Sequence, residues 1–349
     1  MSHKLIYSFL ALGSLTIATA CSSTESVDES IGDGVAVKFT ARTDDSRANI
    51  TTNTSIKNTP FVVYGDMVPT ASASTATPTV IFPGTPVTFS TADNAWQYDT
   101  PQYWFPNHTH SFVALHTPNF DYISNLTYNN GILTFNYAAP ADYTAVPDIL
   151  TAAHRRQYEQ PATPVSFNFG HAMARINFVA KVDPAVPNQT ITINSISIKN
   201  IASRATYSLQ PAPITSGKQT SDMVAPAWSI SGTPTPITYT NNETVSITTG
   251  NTAELFPIDN DNALLVIPQT VNGNIEVVLN YTSGTTPKTV SGRLRSVSSV
   301  HGYTWSAGQS YSYSFTLGTD DYLLFDAPVI KGWDEDEGGN YIVVDDDNN

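Results

Sequence analysis

The sequence predicts an all-β protein: two tandem β-sandwich domains, Greek-key-like or transthyretin-like, behind an amino-terminal lipoprotein signal peptide. Three observations carry that prediction. Apolar and polar residues alternate along most of the chain, which puts the apolar ones on one face of an extended strand. Charged residues make up only 13% of the chain, while threonine, serine, asparagine, valine and tyrosine, residues suited to strands and turns, are abundant. After an export signal about 330 residues remain, more than a single core usually supports, so two domains are expected.

The chain opens on the signal. Lys4 supplies a positive start, Leu5–Ile17 an apolar stretch, and Ala18-Thr19-Ala20 the small residues a signal peptidase needs before its cut. The run is too short for a membrane span, and Ser22-Ser23-Thr24-Glu25 follow at once. Cys21 is the only cysteine, so it has no internal disulfide partner. Its place after Ala18-Thr19-Ala20 resembles a bacterial lipobox, with Ala18 where leucine is commoner, and Cys21 is the expected lipidation site. Residues 1–20 are then the signal peptide and 21–34 a flexible tether rich in serine and acids.

Charge narrows the partners. There are 16 Lys+Arg against 30 Asp+Glu, and removing residues 1–20 takes away Lys4 and moves the formal charge from −14 to −15. Neutralising phosphates requires basic patches, so nucleic acid is excluded as a partner. An anionic bilayer repels such a chain too, which leaves attachment to the outer membrane to the lipid on Cys21.

The first strand signal is Val35-x-Val37-x-Phe39. Similar alternation recurs at Val165-x-Phe167-x-Phe169, Ile176-x-Phe178-x-Ala180-x-Val182, Ile196-x-Ile198, Ile275-x-Val277-x-Leu279-x-Tyr281 and Tyr311-x-Tyr313-x-Phe315-x-Leu317. Continuous apolar runs at Phe61–Tyr64, Val80–Phe82, Leu264–Ile267 and Leu323–Phe325 read as strands buried on both faces. Asn129-Asn130-Gly131 and Ser283-Gly284 are turn signals. One stretch, Asp148–Arg156, reads as a short helix because Pro147 suits a first turn. Val165–Val182 reads as a long hairpin between two proline-bearing breaks, Gln160–Pro164 and Asp183–Pro187. Placing the boundary at the second break gives an amino-terminal sandwich over 35–183 and a carboxyl-terminal one with an acidic tail over 184–349.

Catalytic signals are weak. His108 and His110 stand at i, i+2, yet no partner completes a metal site, and a solvated or hydrogen-bonded pair in a loop after Pro106 is the favoured reading. Asp259-Asn260-Asp261-Asn262 opens like a calcium loop but lacks the later glycine and glutamate, so it reads as a turn. A nucleophile elbow, a phosphate-cradling loop and a His-Glu-x-x-His pair are all absent. Trp96, Trp104, Trp228, Trp305 and Trp333 are aromatic enough to stack on sugars, but core packing is the commoner use. No catalytic residue, metal or cofactor is assigned.

Three segments in order are more specific. They are Tyr103-Trp104-Phe105-Pro106 followed by His110-Ser111-Phe112-Val113-Ala114, then Phe167-Asn168-Phe169-Gly170-His171-Ala172-Met173-Ala174-Arg175-Ile176, then Trp305-x-x-Gly308-x-x-Tyr311-x-Tyr313-x-Phe315. Together they resemble the fimbrillin-like proteins, the pilins of type V fimbriae, over most of the mature chain. The resemblance implies tandem β-sandwiches, export as a lipoprotein, and assembly with other pilin subunits into a surface filament by strand donation. It also implies cleavage by an arginine-specific protease after the first strand. Arg47, followed by Ala48, fits that role, with Arg42 nearby and Arg155-Arg156 as a further exposed-looking pair. The strand then displaced carries Val35, Val37 and Phe39. The donor implied at the carboxyl end is either the segment with Val329 and Ile330, near Trp333, or Tyr341-Ile342-Val343-Val344. A monomeric surface lipoprotein that captures a glycan or a host or bacterial surface protein is the competing reading, and a glycoside hydrolase a more distant one, because no carboxylate pair stands out.

Overall fold

The computed structural model describes residues 34–43, 55–73, 75–158, 161–185, 190–230, 236–256, 263–271, 273–294, 303–318 and 322–333. Cys21, Arg47, Ala48, Ile342, Val343 and Val344, together with Asp259–Asn262, lie outside these residues. In chain order the first strands are β1 (Phe39–Thr43), β2 (Phe61–Pro69), β3 (Thr79–Ser90), β4 (Ala95–Gln97), β5 (His108–His116), β6 (Ile123–Asn129), β7 (Ile132–Ala138), β8 (Leu150–Gln157), β9 (Val165–His171) and β10 (Ala174–Val182). They are followed by β11 (Thr190–Ala202), β12 (Arg204–Pro211), β13 (Gln219–Thr220), β14 (Met223–Ser229), β15 (Pro236–Asn241), β16 (Val245–Thr248) and β17 (Thr252–Glu254). The last are β18 (Leu264–Val266), β19 (Thr270–Val271), β20 (Glu276–Ser283), β21 (Thr286–Arg293), β22 (Tyr303–Thr304), β23 (Gln309–Leu317) and β24 (Val329–Gly332). The described residues contain no α-helix, only short 3-10 turns.

An eight-stranded sheet runs β1-β9-β8-β5-β2-β3-β4, with β13 pairing onto β8. One of its faces is covered by the four-stranded sheet β14-β12-β7-β6, where Phe135, Tyr207 and Leu133 meet Val113 and Ala153. Its other face encloses a separate, strongly aromatic core containing Phe39, Phe61, Phe82, Phe112, Phe167 and Phe169. The sheet curls far enough that its two ends, β1 and β4, come into contact. Opposite, the sheets β17-β10-β23-β24 and β15-β11-β20-β21 pack face to face, with β18 added to β10 and β16 to β11. Sheet pairing crosses residue 183 in both directions: β10 hydrogen-bonds in parallel to β23, while β12 returns to pair with β7.

Three expectations are corrected. Asp148–Arg156 is not a helix but overlaps β8, a strand hydrogen-bonded to β5 on one side and to β9 and β13 on the other. Leu150 and Ala152 face the aromatic core while Ala153 faces the other, so both sides are apolar and the period-2 signal is erased; tertiary pairing overrides local propensity. Val165–Val182 is not a hairpin either. β9 stays in the large sheet and β10 joins a different one, because Gly170-His171-Ala172-Met173 carries none of the chemistry of a two-residue turn. Leu323–Phe325 forms no strand buried on both faces: Leu324 is 68% exposed and only Phe325 bridges, to Phe315. By contrast Asn130 and Gly131 both adopt positive φ (49° and 77°), as the tight turn between β6 and β7 requires.

Candidate functional site

The first strand closes the aromatic core along two seams. On one side β1 lies parallel to β9, with Phe39 opposite Val165 and Thr43 opposite Phe169, and the Val165 amide donates to the Lys38 carbonyl at 2.7 Å. On the other side the lead-in to β1 pairs with the loop after β4. Ala36 bridges Tyr103 antiparallel, the Val37 amide donates to the Gln102 carbonyl at 2.8 Å, and the Trp104 amide donates to the Val35 carbonyl at 3.0 Å. The Tyr98 hydroxyl donates to the Val37 carbonyl at 2.6 Å. The regular strand therefore starts later than the alternation suggests, at Phe39, because residues 35–37 spend their backbone groups on residues 102–104.

The side chains keep the expected alternation. Val37 and Phe39 are 1% and 3% exposed, Val35 and Ala41 are half-buried against the same core, and Lys38, Thr40 and Arg42 face out. The Phe39 ring stacks on Phe167 at 5.5 Å and meets Phe82, Tyr98 and Phe112 at 5.3, 5.6 and 6.0 Å. Outside, Arg42 Nε donates to Asn168 Oδ1 at 2.6 Å. Fully burying a Val or Phe side chain contributes about 1.5–3 kcal/mol and each backbone bond about 1 kcal/mol, so the seat holds its strand with something on the order of 5–10 kcal/mol.

The described carboxyl-terminal candidates, Val329 and Ile330, sit in another sheet. They lie in β24, opposite Ser312 and Tyr311 of β23, with half-buried side chains. Ile330 packs against the larger core and not the aromatic one that β1 closes. Trp333, the next residue beyond β24, does approach the β1 seat: its ring lies 4.2 Å from His171, which ends β9.

The sequence motifs turn out to be packing devices. Trp104 is fully buried, stacked on Tyr158 at 5.2 Å with His110 edge-on at 4.8 Å. His110 thus lies inside a strand, not in a solvated loop, while the His108 ring nitrogen Nδ1 bonds the Pro106 carbonyl at 2.8 Å. Phe167 and Phe169 line the seat, whereas His171 and Arg175 at the other end of the same motif hold Trp333. Trp305 is fully buried and donates from Nε1 to the Tyr313 hydroxyl at 2.8 Å. Sequence reasoning missed Tyr98 and Gln102, which lie in a polar loop with no periodicity to mark them.

Two buried histidines stand out electrostatically. Burial pushes His116 and His154 each down to about 4, with the negative charge of Asp148 partly offsetting the effect at His116 and Arg156 adding to it at His154. Among the described residues no three His, Cys, Asp or Glu side chains converge to hold a metal ion, and no helix is long and apolar enough to cross a membrane.

A family profile described as fimbrillin-like matches residues 46–333. The chain belongs to the fimbrillin-like family. The match begins past β1, so the profile covers the seat but not the strand seated in it. Among solved structures this fimbrillin-like chain is similar to a fimbrial protein from Bacteroides vulgatus, with a TM-score of 0.58 and 14% identity over 85% of this chain and 99% of that one. A protein assigned to cell adhesion from Bacteroides uniformis aligns with a TM-score of 0.41 and 17% identity over 86% and 98%. At 14% identity the likeness to the Bacteroides vulgatus protein is one of fold. No curated protein sequence matches significantly. Family membership makes the chain a fimbrial protein of the cell surface.

Proposed function

We propose that this fimbrillin-like chain is a structural subunit of a surface fimbria, exported as a lipoprotein on Cys21 and polymerised by protease-triggered strand exchange, without catalytic activity. The observation that carries the reading is the double seam of β1. One short strand closes an aromatic core on both sides, and the chain leads from it within four residues to Arg47-Ala48, a polar segment without proline. Cleavage there removes both the lipid and the strand, and leaves unpaired backbone groups beside an apolar groove. A strand from another subunit can fill that groove by β-augmentation. The reading treats the chain as two tandem sandwiches, one carrying the seat and the other the carboxyl-terminal tail.

The test compares protease-treated wild type with Arg47→Ala. While β1 stays tethered, an incoming strand competes against an effective concentration near the millimolar range. Arg47→Ala should fold normally and give monomer only, where wild type gives denaturation-resistant ladders. Ladders of equal intensity overturn the role of Arg47 and direct attention to Arg42. Labelled fatty acid incorporated by wild type and lost in Cys21→Ala checks the anchor separately.

A further inference from the structure

Trp333 is 4% exposed although it follows an edge strand whose own side chains are only half-buried. Its surroundings are built from both halves of the molecule. The indole Nε1 donates to the Gln309 carbonyl at 2.8 Å and the Trp333 amide donates to the Gly308 carbonyl at 3.1 Å. The His171 ring covers the indole at 4.2 Å, and the Arg175 guanidinium lies 5.2 Å from the indole centroid. Nδ1 of His171 lies 3.0 and 3.1 Å from the two carboxylate oxygens of Asp148, so this nitrogen carries the proton and donates it, which fixes the ring over the indole. Arg175 is oriented in turn by Nε donating to Ser310 Oγ at 3.1 Å. Asp148, His171 and Arg175 are all at least nine-tenths buried.

Asp148 comes from the segment leading into β8 and His171 from the end of β9, both strands of the sheet that seats β1; Arg175 comes from β10, and Trp333 is the residue after β24. His171 lies two residues past Phe169, the partner of Thr43, so this column stands roughly 7 Å along β9 from the end of the β1 seam. We propose that Asp148, His171, Trp333 and Arg175 form a clasp that ties the end of the last described strand to the sheet holding the first strand. A carboxylate, an imidazole, an indole and a guanidinium held together in a buried site form a cooperative set: losing one member leaves its buried neighbour uncompensated. The clasp therefore opens as a unit. It does not depend on cleavage at Arg47 or on strand exchange, and its test stands apart from theirs.

The test is hydrogen exchange on the uncleaved protein with Trp333→Ala, His171→Ala and the double variant. Either single change is expected to speed exchange in the peptide covering residues 327–333 at least tenfold, with little further gain in the double variant. Protection of β10 and β23 should persist. Unchanged exchange in both single variants overturns the clasp, as does a double effect equal to the product of the two. If Trp333→Ala does not fold, Trp333→Phe and His171→Phe decide in the same way, because each keeps an aromatic ring while cutting a hydrogen bond.

Discussion

The two terminal strands of the described molecule are both short and both lie at sheet edges, but they are held by opposite means. β1 is held along its length: Val37 and Phe39 are inserted into an aromatic core, and the backbone is hydrogen-bonded on two sides. β24 is held at its end, where Trp333 carries the burial that Val329 and Ile330 lack. Apolar insertion is non-directional, so another strand with the same alternation can replace β1. A directional arrangement of carboxylate, imidazole, indole and guanidinium accepts no such substitute. Under the proposed strand exchange, the first strand is the one that leaves, while the proposed clasp holds the end of the last described one.

The largest expected effect breaks the seat. Phe39→Ala removes a ring with four aromatic neighbours and should cost about 3–5 kcal/mol in urea unfolding of the uncleaved protein. A loss under about 1 kcal/mol would mean that β1 does not close this core.

Acid acts where the two regions meet, because His116 is buried beside Phe169, 6.5 Å away, and within the field of Asp148. Its folded value is depressed to about 4 against an ordinary 6.5, so below pH 6.5 the unfolded chain binds a proton that the folded one refuses. Stability attributable to His116 should be fully present above pH 6.5, decline as pH falls towards 4, and level off below, by on the order of 3 kcal/mol in all. His154 acts in the same direction, while Asp66, whose carboxyl is pushed up by burial, opposes both by taking a proton preferentially in the folded state. Comparing wild type with His116→Leu by urea unfolding at pH 7, 5.5 and 4 isolates the contribution. Parallel curves would remove His116 from the acid response.

A smaller change tests the other strand. Ile330→Ala trims a half-buried side chain and should cost about 1 kcal/mol, well below Phe39→Ala. Equal costs would erase the distinction between the two ends. The finest probe is Tyr98→Phe, which deletes the 2.6 Å donor to the Val37 carbonyl and leaves the ring packed on Phe39. About 1 kcal/mol is expected, read by thermal unfolding, and a neutral result would assign the closing seam to the backbone bonds alone.

What could be read before any coordinates was whatever depends on near neighbours in the chain. Val37 and Phe39 alternate with polar residues, and that pattern alone puts both on one face; the Asn130-Gly131 turn is equally local, because only residues tolerant of positive φ fit it. The family resemblance was also legible, since its three motifs are the segments that build the cores. Partner choice was not. β1 finds β9 and β10 finds β23 in parallel across more than a hundred residues, and nothing near Phe39 or Ile176 specifies Val165 or Tyr311. β8 was hidden because neighbours on both sides and cores on both faces leave no polar phase to its pattern. The clasp was invisible for the same reason: His171 and Trp333 stand 162 positions apart, and only the tertiary fold brings an imidazole oriented by Asp148 over an indole. Local periodicity determined which residues would form strands and face inward; long-range pairing, where the entropy of closing a long loop must be recovered by many contacts at once, decided which strands meet and where each end of the chain is held.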